Sequence, residues 1–303
     1  MADMRVKFAG VDFKNPVTVA SGTFGFGREY AEYYDLSRLG GICVKGLTPA
    51  ARGGNPSPRI AETPMGVLNS VGLQNPGVDA FISEELPFLR GFDTRIIANI
   101  SAPAPEDYAL MAAKLADAGV DMIEINVSCP NVRAGGMAVG VTCEGAASVT
   151  AAVKKAARGV PVMTKLSPTV TDIAEIARAC EDAGADALSL INTLLGMKID
   201  PATGVPVLAN NTGGLSGPAV LPVAVRMVWQ VASAVKIPVM GMGGVSKAED
   251  AAEMIWAGAA LVSVGTATLA DPFAPVRVLE GLEKFLDEHG LSLEGMKGRV
   301  KLH

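Results

Sequence analysis

The sequence predicts an α/β fold, a single (β/α)8 TIM barrel with long βα loops over its C-terminal mouth. Three observations carry this reading. Short β-branched runs recur eight times, alanine-rich amphipathic stretches separate most of them, and the helix-to-strand junctions echo one another. Such alternation implies parallel strands joined by helical crossovers. The 303 residues, 49% of them hydrophobic, suffice for one large core, so residues 1–303 are read as one domain.

In order, the predicted strands are "VTVA" (17–20), "ICVK" (42–45), "IIANI" (96–100), "MIEIN" (122–126), "PVMTK" (161–165), "ALSLI" (187–191), "PVMGM" (238–242) and "LVSV" (261–264). Stretches such as "PEDYALMAAKLADAG" and "VTDIAEIARACEDAG" have the pattern of the connecting helices. "DAGVDMIEIN", "DAGADALSLI" and "WAGAALVSVG" each end a helix on Ala-Gly and enter a strand, as a helix C-cap would. Eight such units fit a barrel better than two Rossmann halves, and no G-x-G-x-x-G opens a helix after a strand.

Composition excludes several classes. Net charge is −5 with no run of lysine or arginine, so the basic footprint of a nucleic-acid binder is missing. No apolar segment reaches the roughly 18 residues needed to span a bilayer, and the start "MADMRVKFAG" resembles neither a signal peptide nor an anchor. Cys43, Cys129, Cys143 and Cys180 form no C-x-x-C pair, which argues against a metal site or a disulfide framework and for a cytoplasmic setting. The only histidines, His289 and His303, lie near the C-terminus, and all four tyrosines lie at or before residue 108. Proton transfer in the second half must therefore use cysteine, lysine, a carboxylate or a hydroxyl.

The strand ends carry the functional signal. They are Ser21, Lys45, Asn99, Asn126, Lys165, Asn192, Gly243–Gly244 and Gly265–Thr266, and in a barrel they converge on one mouth. Any one of them alone reads as a turn or a cap. Eight apolar strands that all close on a polar residue or glycine are hard to explain by packing. Two long connections, 46–77 and 193–218, also fall on the mouth side, dense in Gly, Pro and Asn, and read as irregular lids or binding loops.

"GMGGV" after the seventh strand and "VGT" after the eighth are the two loops that most often hold a phosphate in such barrels. Glycines there let backbone N–H groups approach an anion, and a following helix, with Ser246 as its cap and Glu249 three residues on, would add its dipole. Lys45 and Lys165 project into the same mouth, where an anionic group is expected to meet them, the alternative being solvent or a neighbouring glutamate. A phosphate-tailed cofactor with a lysine beside an electron-rich ring suggests flavin mononucleotide (FMN), one per chain.

Pro130 biases Cys129 toward an extended conformation at the exit of the fourth strand, ahead of the glycine-rich "NVRAGGMAVG", which reads as a mobile flap. A thiol with a reference pKa of roughly 8.5 can take a carbon-bound proton near neutrality if a cation or dipole is close. Cys43, Cys143 and Cys180 read instead as small buried hydrophobes. Asn69, Asn126, Asn131, Asn192 and Thr193 offer paired donors and acceptors without charge, which suits a ring with imide or amide edges.

"INVSCPNV", "LNSVGLQNPG", "NTLLGMKID", "GGLSGPAVLPVAVRMVWQV" and "IPVMGMGGV" together resemble the dihydroorotate dehydrogenases, specifically the catalytic subunits of the NAD-linked, two-subunit class 1B branch. The resemblance runs from "VTVASGTFGFG" to "VGTATLADP". It implies an FMN barrel that oxidises dihydroorotate to orotate in pyrimidine biosynthesis, with Cys129 removing the C5 proton. It implies substrate contacts from Lys45, Asn69, Ser70, Val71, Gly72, Leu73, Asn126, Asn192 and Thr193. FMN contacts would come from Ser21, Lys45, Gly46, Asn99, Asn126, Lys165, Ile191, Gly217, Gly243, Gly244, Gly265 and Thr266. A partner subunit carrying FAD and a [2Fe–2S] cluster would pass electrons to NAD+ within a heterotetramer of two catalytic and two partner chains. The alternatives are a fumarate-linked class 1A homodimer, a dihydropyrimidine dehydrogenase-type subunit, an RNA-modifying flavoprotein and a phosphate-binding barrel without redox chemistry.

Overall fold

The computed structural model describes residues 2–127 and 139–303. Eight parallel strands close into a barrel: Val17–Val19, Gly41–Cys43, Arg95–Ile100, Met122–Asn126, Val162–Lys165, Ala187–Leu190, Val239–Met242 and Ala259–Val264. All eight coincide with the predicted runs, apart from ends that move by one or two residues. Every neighbouring pair is parallel, including the closure of the eighth strand on the first through Ser263 and Thr18. Strands buried on both faces read as continuous apolar runs, which is why these are so plain in the sequence.

Helices Pro105–Ala118, Cys143–Ala156, Ile173–Asp182, Leu221–Ala232, Ala248–Ala257 and Ala274–His289 cover the outside after strands three to eight. The Ala-Gly junctions behave as expected. Gly119, Gly184 and Gly258 all have positive φ, and Gly119 N–H donates back to Ala116 O at 3.0 Å, closing the helix before the next strand begins. Two large apolar clusters occupy the strand–helix layer on opposite sides of the barrel.

A third cluster fills the barrel's lower interior with Cys43, Ile97, Met122, Met163, Met240 and Leu261. Its floor is a feature the sequence reading omits. The antiparallel hairpin of Val6–Phe8 and Val11–Phe13 brings Phe8 and Phe13 edge to face, with centroids 6.2 Å apart, under the strands.

The two long connections are not irregular as expected. Ile60–Thr63, Gly66–Asn69, Leu194–Met197 and Thr212–Ser216 pair with one another into a four-stranded antiparallel sheet. The loop after strand two and the loop after strand six thus satisfy each other's backbone groups instead of leaving them to solvent. Glycine makes the approach possible: a Cβ at Gly66 would stand 2.0 Å from Ser216 O.

Candidate active site

Strand register sets the site. Asn126 pairs with Lys165, Lys165 with Ser189, and Asn99 with Glu124, so inward-facing residues of strands three to six stack at neighbouring levels below the mouth. Lys165 is 5% exposed and Asn99 0%. Such burial of a lysine and a carboxamide at strand ends is unusual unless a ligand completes their partners.

The predicted residues fall into groups. On one side of the mouth, a Cβ at Gly46 would lie 2.8 Å from Asn99 Oδ1, 3.2 Å from Leu73 and 3.8 Å from Ser21 Oγ, while one at Gly22 would lie 3.9 Å from Lys45 Nζ. Ser21, Lys45, Gly46, Leu73 and Asn99 therefore surround one small region. Nearby, Asn192 Nδ2 donates to Asn126 Oδ1 at 3.3 Å, and Thr193 N–H donates to Asn192 Oδ1 at 2.8 Å. The added sheet brings in the rest of this carboxamide wall, since Asn69 pairs with Gly214, and Thr193 Oγ1 fills the space where a Gly214 side chain would begin.

The segment from Asn69 to Leu73 is held from beneath. Asn55 Nδ2 donates to Ser70 O at 2.9 Å, and Asn75 Nδ2 donates to Leu73 O at 2.7 Å and to Thr48 Oγ1 at 2.8 Å. Gly72 and Leu73 both have positive φ, at 78° and 57°. Val71 is half-buried, and Ser70 Oγ is buried without a partner among the described residues.

The second group is rich in glycine. Gly243 packs on Ile191, with a Cβ there 3.1 Å from Ile191 Cγ1, and Gly244 approaches Gly217 O and Leu221 N so closely that a Cβ would stand 2.9 Å from each. Gly217, Gly243 and Gly244 thus bring side-chain-free backbone together beside Ile191 at the start of helix Leu221–Ala232. Gly265 and Thr266 follow the adjacent strand, where Thr268 Oγ1 donates to Gly265 O at 2.9 Å. The cap expected after Val245 differs: the helix starts at Ala248, and the carboxylate that accepts from Ser246 N–H, Ser246 O–H and Lys247 N–H is Asp250, not Glu249. Asp250 is buried, so Asp250→Ala should destabilise the protein by about 1–3 kcal/mol, read as a lower denaturant midpoint at unchanged slope.

Cys129 and Asn131 lie outside the described residues, as does most of the predicted flap. Two neighbours of these residues escaped the sequence reading. Tyr108 donates from its phenol to Asn126 O at 2.9 Å. Glu124 sits wholly buried among Cys43, Asn99 and Ser189. Cys43 is therefore more than a small hydrophobe, because its Sγ donates to Glu124 at 3.0 Å. Burial first, and Glu124 second, push the Cys43 thiol well above its ordinary pKa, which leaves it a poor nucleophile. Burial likewise raises Cys180 to about 11. The one available signal for Glu124 was a lone acid within the apolar run "MIEIN".

Fold and strand-end geometry together define a (β/α)8 barrel whose mouth joins the close-packed glycine backbone at Gly217, Gly243 and Gly244 to a wall of carboxamides and lysines. A family model for dihydroorotate dehydrogenase matches residues 3–286. The "Dihydroorotate dehydrogenase B (NAD(+)), catalytic subunit" of Alkaliphilus oremlandii is 55% identical over 289 residues, covering 95% of each chain. The protein of the same name from Desulforamulus reducens is 55% identical over 290 residues, covering 95% of each chain. That from Bacillus cereus strain G9842 is 53% identical over 291 residues, covering 96% of this chain and 94% of its own. The chain belongs to the dihydroorotate dehydrogenase family, a flavin-dependent family, and is an oxidoreductase of that type, acting on dihydroorotate in pyrimidine biosynthesis.

Proposed function

We propose that the chain, as one domain over residues 1–303, holds one FMN in the mouth of the barrel and oxidises (S)-dihydroorotate to orotate beside it. The observation that carries the cofactor is the pairing of side-chain-free backbone at Gly217, Gly243 and Gly244 with a fully buried Asn99 Oδ1 that has no hydrogen-bond partner among the described residues. A phosphate fits the first and a ring N–H fits the second. That backbone would take the phosphate with Ile191, Gly265 and Thr266, while Ser21, Lys45, Gly46, Asn99, Asn126 and Lys165 would line the ring. When bound, FMN supplies the acceptor, at its N5, for the hydride lost from C6 of the substrate.

The protein's own part is to hold the pyrimidine and manage its proton. Asn126 and Asn192, bonded to each other, present carboxamides whose donors and acceptors match the ring's amide edges, with Asn69 and Thr193 beside them. Lys45 would meet the carboxylate, and the segment from Asn69 to Leu73 would close one side. Cys129 is the proposed base: its thiolate takes the C5 proton, and the electron pair released forms the C5–C6 double bond as the hydride leaves C6. Loss of a proton and a hydride accounts for both hydrogens.

The relatives named as catalytic subunits of an NAD(+) enzyme support a partner. That partner would carry FAD and a [2Fe–2S] cluster, take electrons from FMN and deliver them to NAD+ in a heterotetramer of two chains of each kind. Among the described residues no helix is long and apolar enough to cross a membrane, which agrees with a cytoplasmic setting. The deciding experiment is anaerobic addition of dihydroorotate to the purified yellow protein. The flavin's visible band is expected to bleach within the mixing time of a hand experiment. A protein that stays yellow would discard the substrate and leave the cofactor. Rapid turnover of the isolated chain with fumarate would instead remove the partner.

A further inference from the structure

The floor of the mouth carries a carboxylate for which the reaction has no direct use. Glu124 lies two residues before Asn126 on one strand, so both side chains face inward. It is 0% exposed. Its Oε1 accepts from Ser189 Oγ at 2.7 Å, and its Oε2 accepts from Cys43 Sγ at 3.0 Å and from Asn99 Nδ2. A carboxamide offers hydrogens only from nitrogen, so an acceptor at this place obliges Asn99 to turn its NH2 downward. Asn99 Oδ1 then faces the other way, beside Gly46, Leu73 and Ser21. There it is buried with no hydrogen-bond partner among the described residues.

We infer that Glu124 is a positioning residue: by holding Asn99 Nδ2 it aims Asn99 Oδ1 at an imide N–H of the bound ring, so the floor of the site selects rings that carry this donor. The inference rests on the FMN reading above. Both the flavin and the pyrimidine contain an imide N–H, and the complete burial of Asn99, against half-burial of Asn126 and Asn192, points to the flavin. An alkylated ring would leave the Asn99 carbonyl desolvated and unpaired, a loss that normally weakens binding by one to two powers of ten.

The test needs no turnover. Apoprotein is titrated with FMN and with 3-methyl-FMN, in which a methyl replaces the imide hydrogen, and binding is followed by flavin fluorescence. Wild type should prefer FMN about 10- to 100-fold. Glu124→Gln should erase that preference, because a glutamine can donate to Asn99 Oδ1 and let the amide turn over. Ser189→Ala, which removes another hydrogen bond from the same carboxylate but leaves Asn99 held, should keep it. Equal binding of the two flavins by wild type would overturn the inference, as would loss of the preference in Ser189→Ala. A folded Glu124→Gln protein that keeps the preference would overturn the inference too, and should that variant fail to fold, equal binding by wild type still can. Indifference to flavin methylation combined with rejection of N-methylated orotate by the holoprotein would assign Asn99 to the pyrimidine and also overturn it. An apoprotein that takes up neither flavin would defeat the FMN reading itself, and this inference with it.

Discussion

Cys129→Ser should keep its flavin yet reduce it about 10²- to 10⁴-fold more slowly than wild type at neutral pH, the range that a positioned base contributes. The two side chains have nearly the same shape, and what separates them is acidity. A thiol with a reference pKa near 8.5 has an accessible thiolate around neutrality, whereas a serine hydroxyl has almost none. The defect should therefore sit in the reduction step and not in binding. It should also shrink as pH rises, because hydroxide makes the scarce base form less scarce. Anaerobic stopped-flow mixing with dihydroorotate between pH 6 and 10 would measure it, alongside FMN affinity and unfolding midpoint. Among the described residues the other cysteine near the mouth is a poor substitute, since Cys43 is bonded to Glu124 and pushed well above its ordinary pKa, and both histidines lie near the C-terminus. Reduction within a few-fold of wild type would remove Cys129 from the mechanism and leave the lysines as the groups to test.

The barrel was legible because its determinants are local. Each parallel strand is a short apolar run, each helix is a 3.6-residue pattern, and the Ala-Gly junctions at Gly119, Gly184 and Gly258 mark where one becomes the other. Two of the strand-end residues, Asn126 and Lys165, are set side by side by register alone, with Ser189, which the sequence reading did not single out, on the next strand. What stayed hidden depends on partners far away in the chain. "TGGLS" has poor strand propensity and becomes a strand only because Leu215 meets Leu68, so the added sheet leaves almost no local trace. The floor hairpin is equally quiet: two three-residue strands whose value lies in placing Phe8 and Phe13 beneath the barrel. Glu124 went unread because a single acid in an apolar run has no meaning until Cys43, Asn99 and Ser189 converge on it from three other strands. The cap at the seventh loop was misread by one residue, as the ends of helices commonly are.

Gly244→Ala should abolish flavin retention while the barrel remains folded. Two costs coincide at this position. Gly244 has φ of +85°, where an alanine is strained by about 1–2 kcal/mol. The new Cβ would also stand 2.9 Å from Gly217 O, 2.9 Å from Leu221 N and 2.8 Å from Leu221 Cβ. Two of those three atoms are backbone and cannot swing aside, so the loop itself must move away from Gly217 and from the start of helix Leu221–Ala232. That movement dismantles the surface on which the phosphate is proposed to rest, and each lost charge-assisted hydrogen bond is worth about 1.5–3 kcal/mol. FMN affinity should fall at least about 100-fold, the result of losing two such bonds. Gly10→Ala separates the two costs: its φ is +84°, and a Cβ there meets nothing within 4 Å. That variant should lose about 1 kcal/mol of stability and none of its affinity for FMN. Both are read by titrating apoprotein with FMN and by denaturant melts. Gly244→Ala binding FMN within about threefold of wild type would mean that the phosphate lies elsewhere, with the loop after the eighth strand as the next place to look.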